Sequence, residues 1–423
     1  MAQIYVLHEN DEWIQPLREA FNFIGVPFVD WHLGKGGCVD LSSEPPVGVF
    51  YNRMSASAHT RDHAAGPSYA AAVLEWLELH DRVVVNGTKA LALEISKVRQ
   101  YTALRKGGIL VPRTVAVVGR NEADLKRRVV EQARAHFGDG APFVTKHNCG
   151  GKGLGVHRHA SPDELAAHVH SNDYETPNDG VLLLQQYVPP VDAHITRCEF
   201  VGGKFLYAVQ VDASGGFQLC PADKCTLEDQ RALLAQKQQK QQTQQQQQNE
   251  SKEAVASTST SATDAFCPAS SLGSTKFTIS KAAPPTTLLE AYEQLLARHD
   301  IQVAGIEFLT DADGQQWTYD INTNTNYNRQ AEYRRFGKKE CNYGMHAVAE
   351  YLSRLCWQLI NEQLRIGEQR LSVPRASPLP LPSTTPQPQQ QRQQPQYEQD
   401  PTIHYEQDSV EIPKHIELLV NAQ

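Results

Sequence analysis

Over the first 85 residues, short runs of β-branched and aromatic residues alternate with stretches whose apolar positions recur every three or four residues. This is the rhythm of an α/β unit. Residues 4–7 (IYVL) read as a strand, and 11–24 as a helix with Trp13, Leu17, Ala20, Phe21 and Ile24 on one face. VPFV at 26–29 and VGVFY at 47–51 add strands, and GPSYAAAVLEWLELH is a helix with a strong apolar stripe. The strand VVV at 83–85 and the turn Asn86-Gly87 follow, so an open α/β domain is predicted over 1–85.

A different pattern occupies 86–183. A helix over 91–106, the strand VPRTVAV, a helix over 121–137, the strand PFVTK, a glycine-rich turn, the strand GVHRH and a helix after Ser161-Pro162 predict a central α+β unit. A third unit, bounded at 184–370, draws its first strand from VLLLQQYV near Val181. It continues through HITRCEFV, KFLYAVQV, a helix at 288–297, VAGIEFL, QQWTYDIN and a long helix from Tyr343 to about Ile366. Two stretches lack the apolar content to offset ordering entropy: an insertion at 227–275 containing QKQQKQQTQQQQQ, and the Pro and Gln-rich tail 371–423. Both are predicted to be disordered.

Composition narrows the function. The chain has 423 residues, 40% of them hydrophobic, and a net charge of -8 with its Lys and Arg scattered, so no face for a nucleic-acid backbone is expected. No apolar run is long enough to span a bilayer and no secretory signal pattern opens the chain, which predicts a cytoplasmic protein with no membrane partner. The eight cysteines are dispersed, as for reduced thiols. Cys220 and Cys225 are the only close pair, and Cys267 lies in the stretch read as disordered, so no zinc site is expected.

Three motifs carry chemistry. In VTKHNCGGKGLGVH a strand delivers Lys146 into a turn with Gly150, Gly151, Gly153 and Gly155. Such a turn lets backbone N–H groups approach phosphate oxygens, although the sequence fits neither a P-loop nor a dinucleotide fingerprint. Lys97 lies near the start of an amphipathic helix. Glu307 in AGIEFL and Asp320 and Asn322 in YDIN are hard oxygen ligands on neighbouring strands, suited to Mg²⁺. Alternation along TYDIN predicts Thr318, Asp320 and Asn322 on one face.

Together these motifs make the chain resemble an ATP-grasp ligase, nearest the ribosomal-protein glutamate ligase and glutathione synthetase-like branch, over roughly 86–226 and 276–330. That family follows a strand-borne lysine with G-x-x-G-x-G-V, and Lys146, Gly150, Gly153, Gly155 and Val156 reproduce the spacing. The resemblance implies an ATP-grasp fold and places the second ATP lysine at Lys97. Gln185, Gln186, Tyr187 and Val188 fall at the adenine-contacting hinge, and Arg197 at a catalytic arginine touching the transferred phosphate. It also implies Glu307, Asp320 and Asn322 as ligands of Mg²⁺, with Mn²⁺ as a substitute.

The implied reaction is ATP-dependent ligation of a small carboxylate, such as an amino acid or peptide, to an amine through an acyl phosphate, by an enzyme forming a homo-oligomer. The alternatives are another acceptor (carboxylase or carboxylate-thiol ligase) and a non-catalytic nucleotide-binding scaffold. Asp320 stands where the family more often has Glu, Gln186 replaces the hinge Glu, and TNTNYNRQAEYRR replaces Ser-Pro-Gly after Asn322. Arg53, at a strand end beside Asn52 and near His59, and Arg329, ahead of Arg334 and Arg335, are the candidate substrate contacts.

Overall fold

A computed structural model describes residues 2–35, 38–138, 140–151, 153, 155–213, 276–337 and 342–372, with side chains to 366. The chain divides into two units, Met1–Arg370 and Leu371–Gln423, and the folded core belongs to the first. The insertion at 227–275, Cys220, Cys225 and Cys267, and the tail beyond 372 lie outside the described residues.

The N-terminal part comprises β1 (Gln3–His8), α1 (Asp11–Ile24), β2 (Val29–His32), β3 (Gly48–Asn52), α2 (Gly66–Leu79) and β4 (Val83–Val85). Its strands form a parallel sheet of order β2-β1-β3-β4. Helix α1 starts where the Asn10 side chain accepts the Glu12 and Trp13 N–H groups, and stops at Gly25, whose φ of 68° suits glycine. Its buried stripe, Ile14, Leu17 and Phe21, packs on β1 and β3, each such side chain contributing about 1.5–3 kcal/mol by leaving water.

Next come α3 (Thr88–Glu94), α4 (Lys97–Lys106), β5 (Thr114–Val118), α5 (Glu122–Phe137), β6 (Phe143–His147), β7 (His157–His159), α6 (Pro162–Val169) and β8 (Val181–Gln186). The helix expected over 91–106 is broken at Ile95 and Ser96, because Ser96 turns extended and its side chain caps the Arg99 N–H. A second correction concerns β8. Expected to open the third unit, it lies inside the central antiparallel sheet, of order β5-β8-β6-β7. Helices α5 and α6 cover that sheet through Leu125, Val129 and Leu165.

The remaining elements are β9 (His194–Val201), β10 (Lys204–Asp212), β11 (Phe277–Ile279), α7 (Thr286–Arg298), β12 (Val303–Thr310), β13 (Gln316–Asn322), α8 (Arg329–Phe336) and α9 (Tyr343–Ser372). The strands form an antiparallel sheet of order β11-β10-β9-β12-β13. On one face α4 and α7 bury Leu104, Tyr292 and Leu296 against Phe200 and Ile306. On the other, α9 carries Met345, Val348 and Leu352 into a core shared with Ile4 and Phe21. Asn86, fully buried with φ 57°, joins the first sheet to the third. Its Nδ2 donates to the carbonyls of Val303 (2.7 Å) and Thr323 (2.8 Å), and its Oδ1 accepts the Gln302 and Val303 N–H groups.

Candidate active site

The site forms where the glycine turn after β6, the start of α4 and strands β9, β12 and β13 meet. The break before α4 is what brings the first two together. Lys97 N–H donates to Asn148 O (3.0 Å), and Val98 N–H and Ser96 Oγ both reach Asn148 Oδ1 (2.9 and 3.1 Å). Lys97 thus leaves the helix at a fixed angle, its Nζ paired with Asp320 Oδ1. Burial pulls this ammonium down, but the charges of Asp320, Glu307 and Glu94 outweigh burial and hold it above its ordinary value.

Lys146, on β6, is also buried but has no carboxylate at ion-pair distance among the described residues. Its Nζ sits over the rings of Tyr101 (5.0 Å) and Tyr319 (5.8 Å). Burial, with the charge of Lys97 adding, lowers it to about 7. Both lysines open on a cavity of about 340 Å³ with apolar walls from Val144, Val156, Val188, Ile195 and Leu309. Gly150, Gly151 and Gly153 line one side and Gln185, Gln186 and Tyr187 another. The glutamines are held in place: Gln185 Nε2 donates to Thr114 Oγ1 (2.7 Å), and Gln186 Oε1 accepts the Arg113 N–H (3.3 Å). Gly155 does not line the cavity; its φ is 67° and a Cβ there would meet the His147 ring at 2.8 Å, so it is a packing glycine.

The acidic side comes from the third sheet. Glu307 lies opposite Asp320 across β12 and β13, and opposite Arg197 across β12 and β9. The expected face assignment needs one correction. Register jumps between Glu307/Asp320 and Phe308/Thr318, leaving Tyr319 as the extra residue of a bulge. Thr318 is therefore turned away, its Oγ1 2.6 Å from Tyr292 Oη, whereas Tyr319 and Asp320 both face the cavity. Asn322 completes the group, its Nδ2 at 3.3 Å from Asp320 Oδ2 and 3.5 Å from Glu307 Oε1. Burial, with the Asp320 charge adding and Arg197 opposing, leaves Glu307 above its ordinary value.

Arg197 is held by donation to Glu199 Oε1 (Nε, 2.7 Å), Glu307 Oε1 (Nη1, 2.6 Å) and Thr325 Oγ1 (Nη2, 2.6 Å). Gly305 makes room for it, since a Cβ there would lie 2.6 Å from the guanidinium. Arg197 lines a second, polar recess of about 80 Å³ that adjoins the cavity and shares Lys97, Asp320 and the glycine turn with it.

Of the two candidate substrate arginines, neither lines either space. Arg53 is buried and donates from Nη2 to Asn326 Oδ1 (2.8 Å), so it reaches the recess only through Asn326. Arg329 heads α8 and pairs with Glu19 of α1 (2.8 Å). Arg334 Nη2 donates to Phe277 O (2.7 Å). Sequence reading missed Trp13, Ser55, Ser57, Glu94 and Asn324, which line the recess, and Glu199 and Thr325, which hold Arg197. Only Glu199 left a signal: it lies two positions from Arg197 on one strand and so shares its face.

Among the described residues one other group is spaced as metal ligands, His8, Asp11 and His32. His32 Nδ1 accepts the Gly34 N–H (3.1 Å), which leaves its proton on Nε2, and Asp11 is already held by Arg18 and Lys35. That donor set does not suit a cation.

No family model and no curated protein matches the sequence. Solved structures do. A RimK domain ATP-grasp protein from Sphaerobacter thermophilus aligns over 83% of this chain and 99% of its own, with TM-score 0.51 and 15% identity. The ATP-grasp ligase PsnB, complexed with a minimal precursor, aligns over 84% and 99%, with TM-score 0.51 and 15% identity. The chain has the ATP-grasp fold. The expected architecture is borne out: an open parallel sheet, a central α+β unit and a C-terminal antiparallel sheet. No described helix is long and apolar enough to cross a membrane.

Proposed function

We propose that this ATP-grasp chain is an ATP-dependent ligase joining a small carboxylate to an amine. One observation carries the reading: an apolar slot opens directly onto a cluster of two lysines, an arginine and two registered carboxylates. The slot suits the flat, apolar faces of adenine, with Gln185 and Gln186 at its edge for the base's polar rim. Lys97, Lys146 and the N–H groups of the glycine turn suit the polyphosphate. That the similarly folded PsnB is an ATP-grasp ligase complexed with a minimal precursor supports the ligase reading.

The donor set fits Mg²⁺. Glu307 and Asp320 face one another across adjacent strands, so their oxygens could be shared by one hard cation. A half-turn of the Asn322 amide would replace its two long N–H contacts with an oxygen ligand. When bound, the ion would neutralise charge on the phosphate oxygens. In this reading the chain's own groups position and stabilise. Lys97 would turn from Asp320 to the phosphate chain, Lys146 would hold a proton beside phosphate, and Arg197, fixed by Glu199, would direct its donors at the transferred group, with Glu307, Asp320 and Asn322 left to hold the ion. The substrate carboxylate then attacks the γ-phosphorus, ADP leaves with the bond's electron pair, and the acceptor, as its free amine, displaces phosphate from the acyl phosphate and gives up a proton to the departing phosphate.

The test is phosphate release from Mg-ATP with a panel of amino acids and small carboxylic acids, using hydroxylamine to trap the activated acid. One acid stimulating release and appearing by mass as its hydroxamate is the expected result. Stimulation that survives in an Asp320→Ala, Asn322→Ala double variant would remove the basis of the proposal.

A further inference from the structure

The polar recess is closed on its far side by residues the phosphate chemistry leaves unused. Glu94, the last residue of α3, anchors the loop after β13 through one oxygen. Its Oε2 accepts the Thr323 N–H (2.7 Å), the Thr323 hydroxyl (3.1 Å) and the Asn324 N–H (3.3 Å). The Ala56 backbone N–H also donates to this carboxylate, which keeps lone-pair capacity to spare, and Glu94 lines the recess. Charge matching sets this residue apart. Lys97 is paired with Asp320, and Arg197 with Glu199 and Glu307, whereas Glu94 has no cation at ion-pair distance among the described residues. The charge of Lys97 reaches Glu94 only from beyond ion-pair distance, and a carboxylate sheltered from bulk water without a counter-charge in contact is costly.

A second group independently lacks a partner. The Asn324 side chain, 8% exposed, lines the same recess, and its Oδ1 is buried with no donor among the described residues. A half-turn of this amide, sterically near neutral, exchanges its two ends, so an N–H entering the recess can satisfy the oxygen. The recess also borders a third space. It shares Ser57, Gly150 and Gly151 with an outer cavity of about 240 Å³ bordered by His59 and Glu175, which in turn shares His147, Gly150 and Gly151 with the nucleotide slot.

We propose that the recess seats the amino group of the acceptor, taken up as an alkylammonium cation. Glu94 opposes its charge, Asn324 Oδ1 accepts one of its N–H groups, and its substituent leaves past Ser57 toward His59. This rests on the ligase reading above and adds the class of acceptor.

The probe is n-propylammonium chloride, compared with n-propanol at matched ionic strength, titrated calorimetrically into the full chain with Mg²⁺ and a non-hydrolysable ATP analogue. The variants are Glu94→Gln, whose carbonyl can still anchor Thr323 and Asn324, and Asn324→Leu. Binding of the ATP analogue to each variant reports that it is folded. The expected result is at least a tenfold preference for the ammonium over the alcohol in the native chain, falling at least tenfold in each variant. Equal binding of alcohol and ammonium by the native chain would overturn the proposal, as would a Glu94→Gln chain that keeps the preference. A Glu94→Gln change confined to the Mg²⁺ requirement would also overturn it, making Glu94 a metal ligand. Propylammonium held at Glu94 with no hydroxamate formed by any acid would sink the ligase reading alone.

Discussion

The two halves of the cavity are built on opposite principles. The slot under Val144, Val156, Val188, Ile195 and Leu309 is an apolar surface whose few polar groups are fixed by bonds to the central sheet's edge. Its affinity comes from surface removed from water and is spread over many side chains. Apart from Glu94, the recess beside Glu307 and Asp320 holds its charges in matched sets, Lys97 with Asp320 and Arg197 with Glu199 and Glu307. Removing one member strands another in a sheltered place, so its costs concentrate on single residues. One half should degrade gradually under mutation and the other abruptly.

The largest effect is expected at Asp320. Asp320→Ala strands Lys97 and removes a proposed metal ligand, and should lower ATP-dependent turnover about 10³-fold while changing adenosine affinity less than about twofold. Phosphate release and adenosine calorimetry check the two halves separately. A fall in adenosine affinity matching the loss of turnover would break the comparison. Leu309→Ala should act in the reverse sense, weakening adenosine and ATP together by about fivefold, roughly 1 kcal/mol of lost apolar contact. The rate at saturating ATP is expected to hold, and a large fall in that rate would show that the slot also positions the phosphates.

Much of this could be read in advance, for reasons the particular residues make clear. Helix 11–24 carries its own cap at Asn10 and its own stop at Gly25, so local chemistry sets both ends. Glu307, Asp320 and Asn322 stood out because charged and amide groups interrupt apolar strands. Thr318 was misassigned because a single extra residue, Tyr319, reverses every face before it, and nothing in TYDIN announces a bulge. β8 was misplaced because its run of leucines fits any sheet, and its pairing with β5 and β6 is a tertiary choice. Glu94 had no signal at all. A glutamate ending a helix is ordinary until the loop from Thr323 folds onto it. Arg329 shows the same limit, since its pairing with Glu19 depends on how the first turn of α8 packs beside α1.

The smallest effect tests the boundary between the halves. Lys146 is a charge placed against aromatic rings on the apolar side, with its ordinary lysine value near 10.5 lowered by burial to about 7. Between those values the unfolded chain binds a proton that the native chain does not, so raising the pH through this window stabilises the native state. Below about pH 7 the burial penalty on the charged form is fully present. In nucleotide-free, metal-free protein the melting temperature of native chain relative to Lys146→Met should therefore rise between pH 7 and 10, by an amount worth on the order of a few kcal/mol. ATP should flatten the slope, because phosphate beside the ammonium restores the proton and removes the difference between folded and unfolded chains. A slope equal with and without nucleotide would mean that the lysine meets no phosphate, and that the polar half ends at Lys97.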